Sequence, residues 1–210
     1  MRTYLFKTPT VLKKLYPGLT WDKREDSEKT IYLTFDDGPI PDVTPWVLDQ
    51  LATADVLATF FMVGENIKKY PEVFKQVVSE GHSIGNHTYN HLDGWKTETE
   101  TYLSNIEKCM KAIEDQGHKS NLFRPPYGKI TREQISLVTK SYEIIMWDYL
   151  TGDFDQSLIA DKIVRKFKKK VKSGAIVVFH DNIKSFEVLK KALPEFLSHF
   201  KDQDYQFMTL

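Results

Sequence analysis

Apolar positions along the chain fall into two alternating patterns. Residues 31–35 (Ile-Tyr-Leu-Thr-Phe), 58–63 (Ala-Thr-Phe-Phe-Met-Val) and 175–179 (Ala-Ile-Val-Val-Phe) are short, continuous apolar runs. β-Branched and aromatic side chains suit a pleat covered on both faces, so these runs predict buried strands. Shorter strand-like stretches fall at 83–86, 122–123, 143–147 and 205–209. Between them the apolar residues take a helical spacing. Thr44 and Pro45 predict an N-cap and a first helical position, with Val47, Leu48 and Leu51 as the inward stripe. Pro71 opens a helix that Gly81 ends, with Phe74, Val77 and Val78 facing inward. Thr97 with Glu100, and Thr131 with Gln134, read as capping boxes. Further helices are predicted from about 157 to 171 and from 184 to 200, with a break at Pro194.

Strand and helix alternate about seven times, which predicts a parallel sheet covered by helices. The pattern allows an open doubly wound sheet or a closed barrel. Residues 1–29 read as an arm or short helix packed on the outside, and 30–210 as one domain. Lys+Arg and Asp+Glu both number 29, so no basic surface suggests a nucleic-acid partner. The four Trp suit a sugar-lined cleft as well as a filled core. Cys109 is the single cysteine, so no internal disulfide forms. The first residues lack the pattern of a signal peptide, and no apolar run approaches the roughly 20 residues of a membrane span. These features predict a soluble, cytoplasmic chain.

The candidate chemistry begins where the first strand ends, at Asp36-Asp37-Gly38-Pro39. Asp, Gly and Pro also dominate ordinary solvated turns, so this stretch alone decides little. Two carboxylates at one site repel unless a cation or proton holds them. His87 and His91, four residues apart, would reach one metal ion from one side of a helical turn. The zinc-protease signature would place Glu after the first His, and Thr88 stands there instead. Arg124, Asp153 and His180 also follow predicted strands, and the C-terminal strand ends are where parallel α/β folds build their sites.

Together these motifs, Thr-Phe-Asp-Asp-Gly-Pro, His87-x-x-x-His91, Arg124-x-Pro126-Tyr127, the acidic loop at Asp153 and Val178-x-His180, resemble in order those of the polysaccharide deacetylases. This is the NodB-homology family of carbohydrate esterases (family four), and the match spans roughly residues 30–181. The resemblance implies a distorted (β/α)7 barrel with outer helices, and hydrolysis of an acetamide on an N-acetylhexosamine glycan with release of acetate. It implies that Asp37, His87 and His91 hold a divalent metal, most often Zn2+, with Co2+ or Ni2+ as alternatives. Asp36 would be general base towards water held by the metal. Arg124 would pair with Asp36 and keep its pKa low. Tyr127 would offer a backbone N–H to the oxyanion, and His180, oriented by Asp153, would be the general acid.

Phe154 stands where the family commonly has Trp, and Val178 where it usually has Leu. Both positions are associated with the acetyl pocket, so acyl preference stays open. Pro126, Tyr127 and Trp147 complete the substrate-binding set. Asp148 rivals Asp153 for the orienting role. His82, His118 and His199 read as structural or surface residues, and the lysines at 166 and 168–170 as a solvated helix end. A relative working on an O-acetyl or cyclic amide substrate, or a silent glycan-binding protein, are the competing functions. Many family members act on cell-wall glycans and are exported, which sits against the absence of a leader pattern.

Overall fold

The structure, a computed structural model, describes residues 4–24 and 29–210. Residues 1–3 and 25–28 of the expected arm lie outside the described residues. Among the described residues, eight strands form one parallel sheet. They are β1 (Thr30–Asp36), β2 (Thr59–Met62), β3 (Ser83–Asn86), β4 (Leu122–Phe123), β5 (Glu143–Ile144), β6 (Tyr149–Leu150), β7 (Ala175–His180) and β8 (Gln206–Met208). The spatial order is β5-β4-β3-β2-β1-β7-β6, with β8 added beside β1. The central strand β1 is buried along its whole length, as its apolar run requires. The sheet curls into a distorted barrel, and helices cover its outside.

Those helices are α1 (Thr10–Leu15), α2 (Thr44–Thr53), α3 (Gly64–Lys69), α4 (Pro71–Ser79), α5 (Thr99–Glu114), α6 (Arg132–Val138), α7 (Ala160–Lys170) and α8 (Phe186–Lys201). Helix α6 carries the predicted Thr131–Gln134 capping box. Two other predicted caps are used differently. The Thr97 hydroxyl donates to the Asp93 carbonyl, and α5 starts two residues later without a side-chain cap. The Thr44 hydroxyl donates to Asp181 at 2.6 Å and accepts from the Ile40 N–H, so tertiary contact takes over its capping role. Pro194 does not break α8. Five large apolar side chains of that helix, Leu189, Leu193, Phe196, Leu197 and Phe200, are buried. At about 1.5–3 kcal/mol each, they outweigh the roughly 3 kcal/mol cost of one interior proline.

The barrel is not sealed by strand pairing, because β5 and β6 end the spatial order without pairing each other. The N-terminal arm occupies the seam. Thr20 bridges to β5, with its N–H on the Ile144 carbonyl at 2.9 Å and its carbonyl accepting from Met146 at 2.7 Å. On the other side, the Phe6 carbonyl accepts from Leu150 of β6 and the Thr8 N–H donates to the Asp148 carbonyl. Leu19 and Trp21 are buried against Tyr102, Phe123 and Ile144. The arm therefore does more than lie on the outside: it satisfies two sheet edges that would otherwise expose their backbone groups. Among the described residues, no helix is long and apolar enough to cross a membrane.

Candidate active site

Asp36, Asp37, His87, His91, Arg124, Asp153 and His180 all lie at or just beyond the C-terminal ends of β1, β3, β4, β6 and β7. Four backbone positions at this rim are left-handed although none is glycine: Asp37 (φ 87), Thr88 (φ 61), His91 (φ 55) and Tyr127 (φ 59). Such a conformation costs roughly 1–2 kcal/mol per residue, so the surrounding contacts hold it in place. His87 and His91 do not share a helical turn, as their spacing predicts. They sit in an irregular loop, and the left-handed turns at Thr88 and His91 bring the imidazoles together, with ring centroids 5.0 Å apart.

One ligand atom each from Asp37, His87 and His91 lies within 4.8 Å of the others. Asp37 Oδ1 is buried with no hydrogen-bond partner, and it faces His91 Nε2 at 3.1 Å and His87 Nε2 at 3.6 Å. A buried carboxylate oxygen without a donor, opposite two imidazole nitrogens, fits a cation between them. The remaining atoms of the cradle are fixed by other partners. His87 Nδ1 lies 2.7 Å from the Arg124 carbonyl, which leaves Nε2 free to ligate. Burial lowers the His87 pKa to about 4, despite nearby Asp36, so the ring is neutral as a ligand must be. His91 Nδ1 meets the Tyr127 hydroxyl at 3.1 Å. Asn182 donates to Asp37 Oδ2 at 2.6 Å, and Asn66 donates to the Asp37 carbonyl. Burial opposes ionisation of Asp37, but His91 and His180 hold its carboxyl well below the usual range.

Asp36 does not join that cradle. Its Oδ1 accepts from Arg124 Nη1 at 2.6 Å, with both side chains nearly or fully buried. The guanidinium is held by the Thr34 hydroxyl and by the Ile145 and Met146 carbonyls, and it lies 4.0 Å over the Phe61 ring. In register with Asp36 on the neighbouring strand β7 stands His180, whose Nδ1 is 2.8 Å from Asp153 Oδ1. Burial alone would lower the His180 pKa, but Asp153, then Asp37 and Asp36, raise it to about 9. Asp148, the rival orienting residue, is turned away from the site and is bound by Lys7, Lys13 and Arg24 of the arm.

A cavity of about 480 Å3 opens over these groups. Tyr127, Trp147 and Phe154 line it, as do Asp36, Asp37, His87, His91 and His180. Pro126 and Val178 are buried and do not line it, and Leu150 supplies the aliphatic wall instead. Val178 acts through its carbonyl, which accepts from the Thr151 hydroxyl and N–H and so pins the loop that carries Asp153.

The family model described as polysaccharide deacetylase matches residues 23–144. A peptidoglycan-N-acetylglucosamine deacetylase from Bacillus cereus is 37% identical over 202 residues, covering 94% of each chain. This chain belongs to the polysaccharide deacetylase family. A chitooligosaccharide deacetylase from Azorhizobium caulinodans is 34% identical over 159 residues, covering 74% of this chain and 75% of its own. The crystal structure of the Bc1960 peptidoglycan N-acetylglucosamine deacetylase superposes with a TM-score of 0.83 at 31% identity, covering 97% of this chain and 95% of that one.

Several residues around the deacetylase centre carry no motif signal in the sequence. Asn182, Tyr4, Lys129 and Lys184 line the cavity from three separate segments. Asp181 is buried, and burial raises its pKa to about 8. It accepts from the Gly38 N–H at 3.1 Å, and a side chain on Gly38 would meet its Oδ2 at 2.1 Å. Gly38 is therefore required for this close approach. His82, His118 and His199 lie outside the cavity lining. The His82 ring accepts from the Ala58 N–H, a structural contact.

Proposed function

We propose that this chain is a zinc-dependent hydrolase that removes N-acetyl groups from an N-acetylhexosamine-containing glycan and releases acetate. One observation carries the reading: the Asp37–His87–His91 cradle, the Asp36–Arg124 pair and the His180–Asp153 pair face one cavity. Two imidazole nitrogens and one carboxylate oxygen form a donor set that suits Zn2+ and leaves room for a substrate atom. When bound, such an ion supplies Lewis acidity to the acyl carbonyl and to water.

The protein's own groups divide the proton transfers. Asp36 accepts a proton from the attacking water as its oxygen bonds to the acyl carbon. Arg124 fixes the carboxylate and, being buried with it, has no water to compete. The tetrahedral carbon then expels the amine, which leaves only if its nitrogen is protonated. His180, kept charged near neutral pH by Asp153, donates that proton. The C–N bond breaks, and acetate and a free amino sugar result. The left-handed Tyr127 shapes the rim beside the cradle and supports the position of an N–H donor towards the developing oxyanion.

The test is acetate release from N-acetylated chito-oligomers by the zinc-loaded protein. Asp36→Asn should retain zinc and lose turnover by about 10²–10⁴-fold, while His87→Ala should lose both. Turnover by Asp36→Asn at the parent rate would remove Asp36 from the mechanism. An O-acetylated sugar assayed beside the N-acetylated one separates amide from ester preference.

A further inference from the structure

The catalytic cavity has a neighbour. A second, largely apolar cavity of about 450 Å3 lies between the N-terminal arm and the barrel rim, walled by Leu12, Leu19, Trp21 and Ile130 among others. Tyr4, Tyr127, Trp147 and Leu150 line both cavities. Of these four, only Tyr4 comes from the arm, and its position is fixed from three sides. Its hydroxyl donates to Asp155 Oδ2 at 2.7 Å. Its ring packs on Phe6 at 5.4 Å and on Phe154 at 4.9 Å. The Phe154 ring in turn meets the His180 imidazole edge-on at 5.0 Å. Gly152 lets the arm come this close: it has φ +76, and a side chain there would meet Phe6 at 2.9 Å and the Tyr4 hydroxyl at 3.0 Å.

The walls of the catalytic cavity differ in polarity. Its lining combines the polar Asp36, Asp37, His87, His91 and His180 with an aromatic and aliphatic set, Tyr4, Trp147, Leu150 and Phe154. In an N-acyl sugar, the acyl tail is the part with no polar atom, so this aromatic and aliphatic lining suits it. The Phe154 contact with His180 puts that lining beside the reacting centre. On the deacetylase reading above, we propose that Tyr4 is a specificity-determining residue: it partitions the catalytic cavity from the arm cavity and thereby limits the length of the acyl group. The arm thus contributes a wall to the site as well as closing the sheet. The Asp148 ion pairs with Lys7, Lys13 and Arg24 keep that wall in place without depending on the Tyr4 ring.

The experiment compares N-acetyl with N-butyryl chitotriose, by hydrolysis (kcat/KM) and by equilibrium binding to the zinc-loaded protein. One methylene in an apolar pocket is worth about 10–200-fold in discrimination. Tyr4→Ala should therefore raise the butyryl-to-acetyl ratio by roughly tenfold or more. Tyr4→Phe, which keeps the ring, should hold the parent ratio, and Tyr4→Trp should lower it. Equal ratios in Tyr4→Ala, Tyr4→Trp and the parent would overturn the proposal. If the parent hydrolyses neither probe, the deacetylase reading falls, and the binding ratios still decide the role of Tyr4.

Discussion

Asp153 grips His180 at two points: Oδ1 lies 2.8 Å from the ring Nδ1, and Oδ2 accepts the His180 backbone N–H at 2.7 Å. This double contact fixes the ring's position and its charge together. Burial would lower the His180 pKa, yet Asp153, Asp37 and Asp36 bring it to about 9. The folded-state value is above the ordinary 6.5, so charged His180 stabilises the fold fully below about 6.5, and this contribution is lost as pH rises through about 9. The general acid is available over the same range. A cation at Asp37 offsets part of the attraction, so the alkaline limb of kcat is expected at or below pH 9. Asp153→Asn removes the strongest opposing anion and leaves burial in force, so the limb should move to lower pH. A pH profile of acetate release for parent and variant checks this, and an unmoved limb would detach Asp153 from the acid.

Asp148 has the opposite assignment. Its buried carboxylate meets Lys7, Lys13 and Arg24, and so ties the arm into the seam. Breaking a buried pair costs about 3–5 kcal/mol. Lys7 and Arg24 are about one-third or more exposed, which places Asp148→Asn at the low end of that range. Denaturant unfolding should show the loss, while the alkaline limb of kcat keeps its position. A shifted limb with unchanged stability would return Asp148 to the catalytic group.

Asp36 and Arg124 should behave as a coupled pair. Replacing either alone leaves a buried charge without its partner, at a cost of about 3–5 kcal/mol. The double variant Asp36→Asn, Arg124→Met removes both charges and should be destabilised by less than the sum of the single changes. Urea unfolding of the four proteins measures the coupling; additive losses would mean that the 2.6 Å contact is energetically idle.

Tyr127 has a role through its side chain that the motif does not announce. Its hydroxyl orients His91 from the far side of the ring. Loss of such an outer partner typically costs about 10–100-fold in metal affinity. Zinc titration of Tyr127→Phe should show a weakening of that order, with the fold intact by circular dichroism. Unchanged affinity would limit Tyr127 to the cavity wall.

The parallel strands and the rim location of the ionisable residues were legible because both are local: an apolar run, then a carboxylate, imidazole or guanidinium where it ends. The five motifs in order carried the family. Features built from distant partners were not legible. Thr20 pairs with residues 144 and 146, and Tyr4 packs on Phe154, contacts that leave no periodic trace in either segment. The helical turn expected for His87 and His91 fails because the local backbone turns left-handed at Thr88 and His91, a choice made by surrounding contacts against local preference. Helix α3 went unseen because it opens at Gly64, a weak helix former just after a strand. The Thr44 hydroxyl reads as a cap until Asp181, 137 positions away, takes it.

The most direct measurement is anomalous diffraction at the zinc edge from crystals of the zinc-loaded protein. One peak should appear at about 2.0–2.2 Å from a carboxylate oxygen of Asp37 and from Nε2 of both His87 and His91. A peak elsewhere, or none on these three groups at full zinc loading, would contradict the assignment of this rim as a metal-assisted hydrolytic centre.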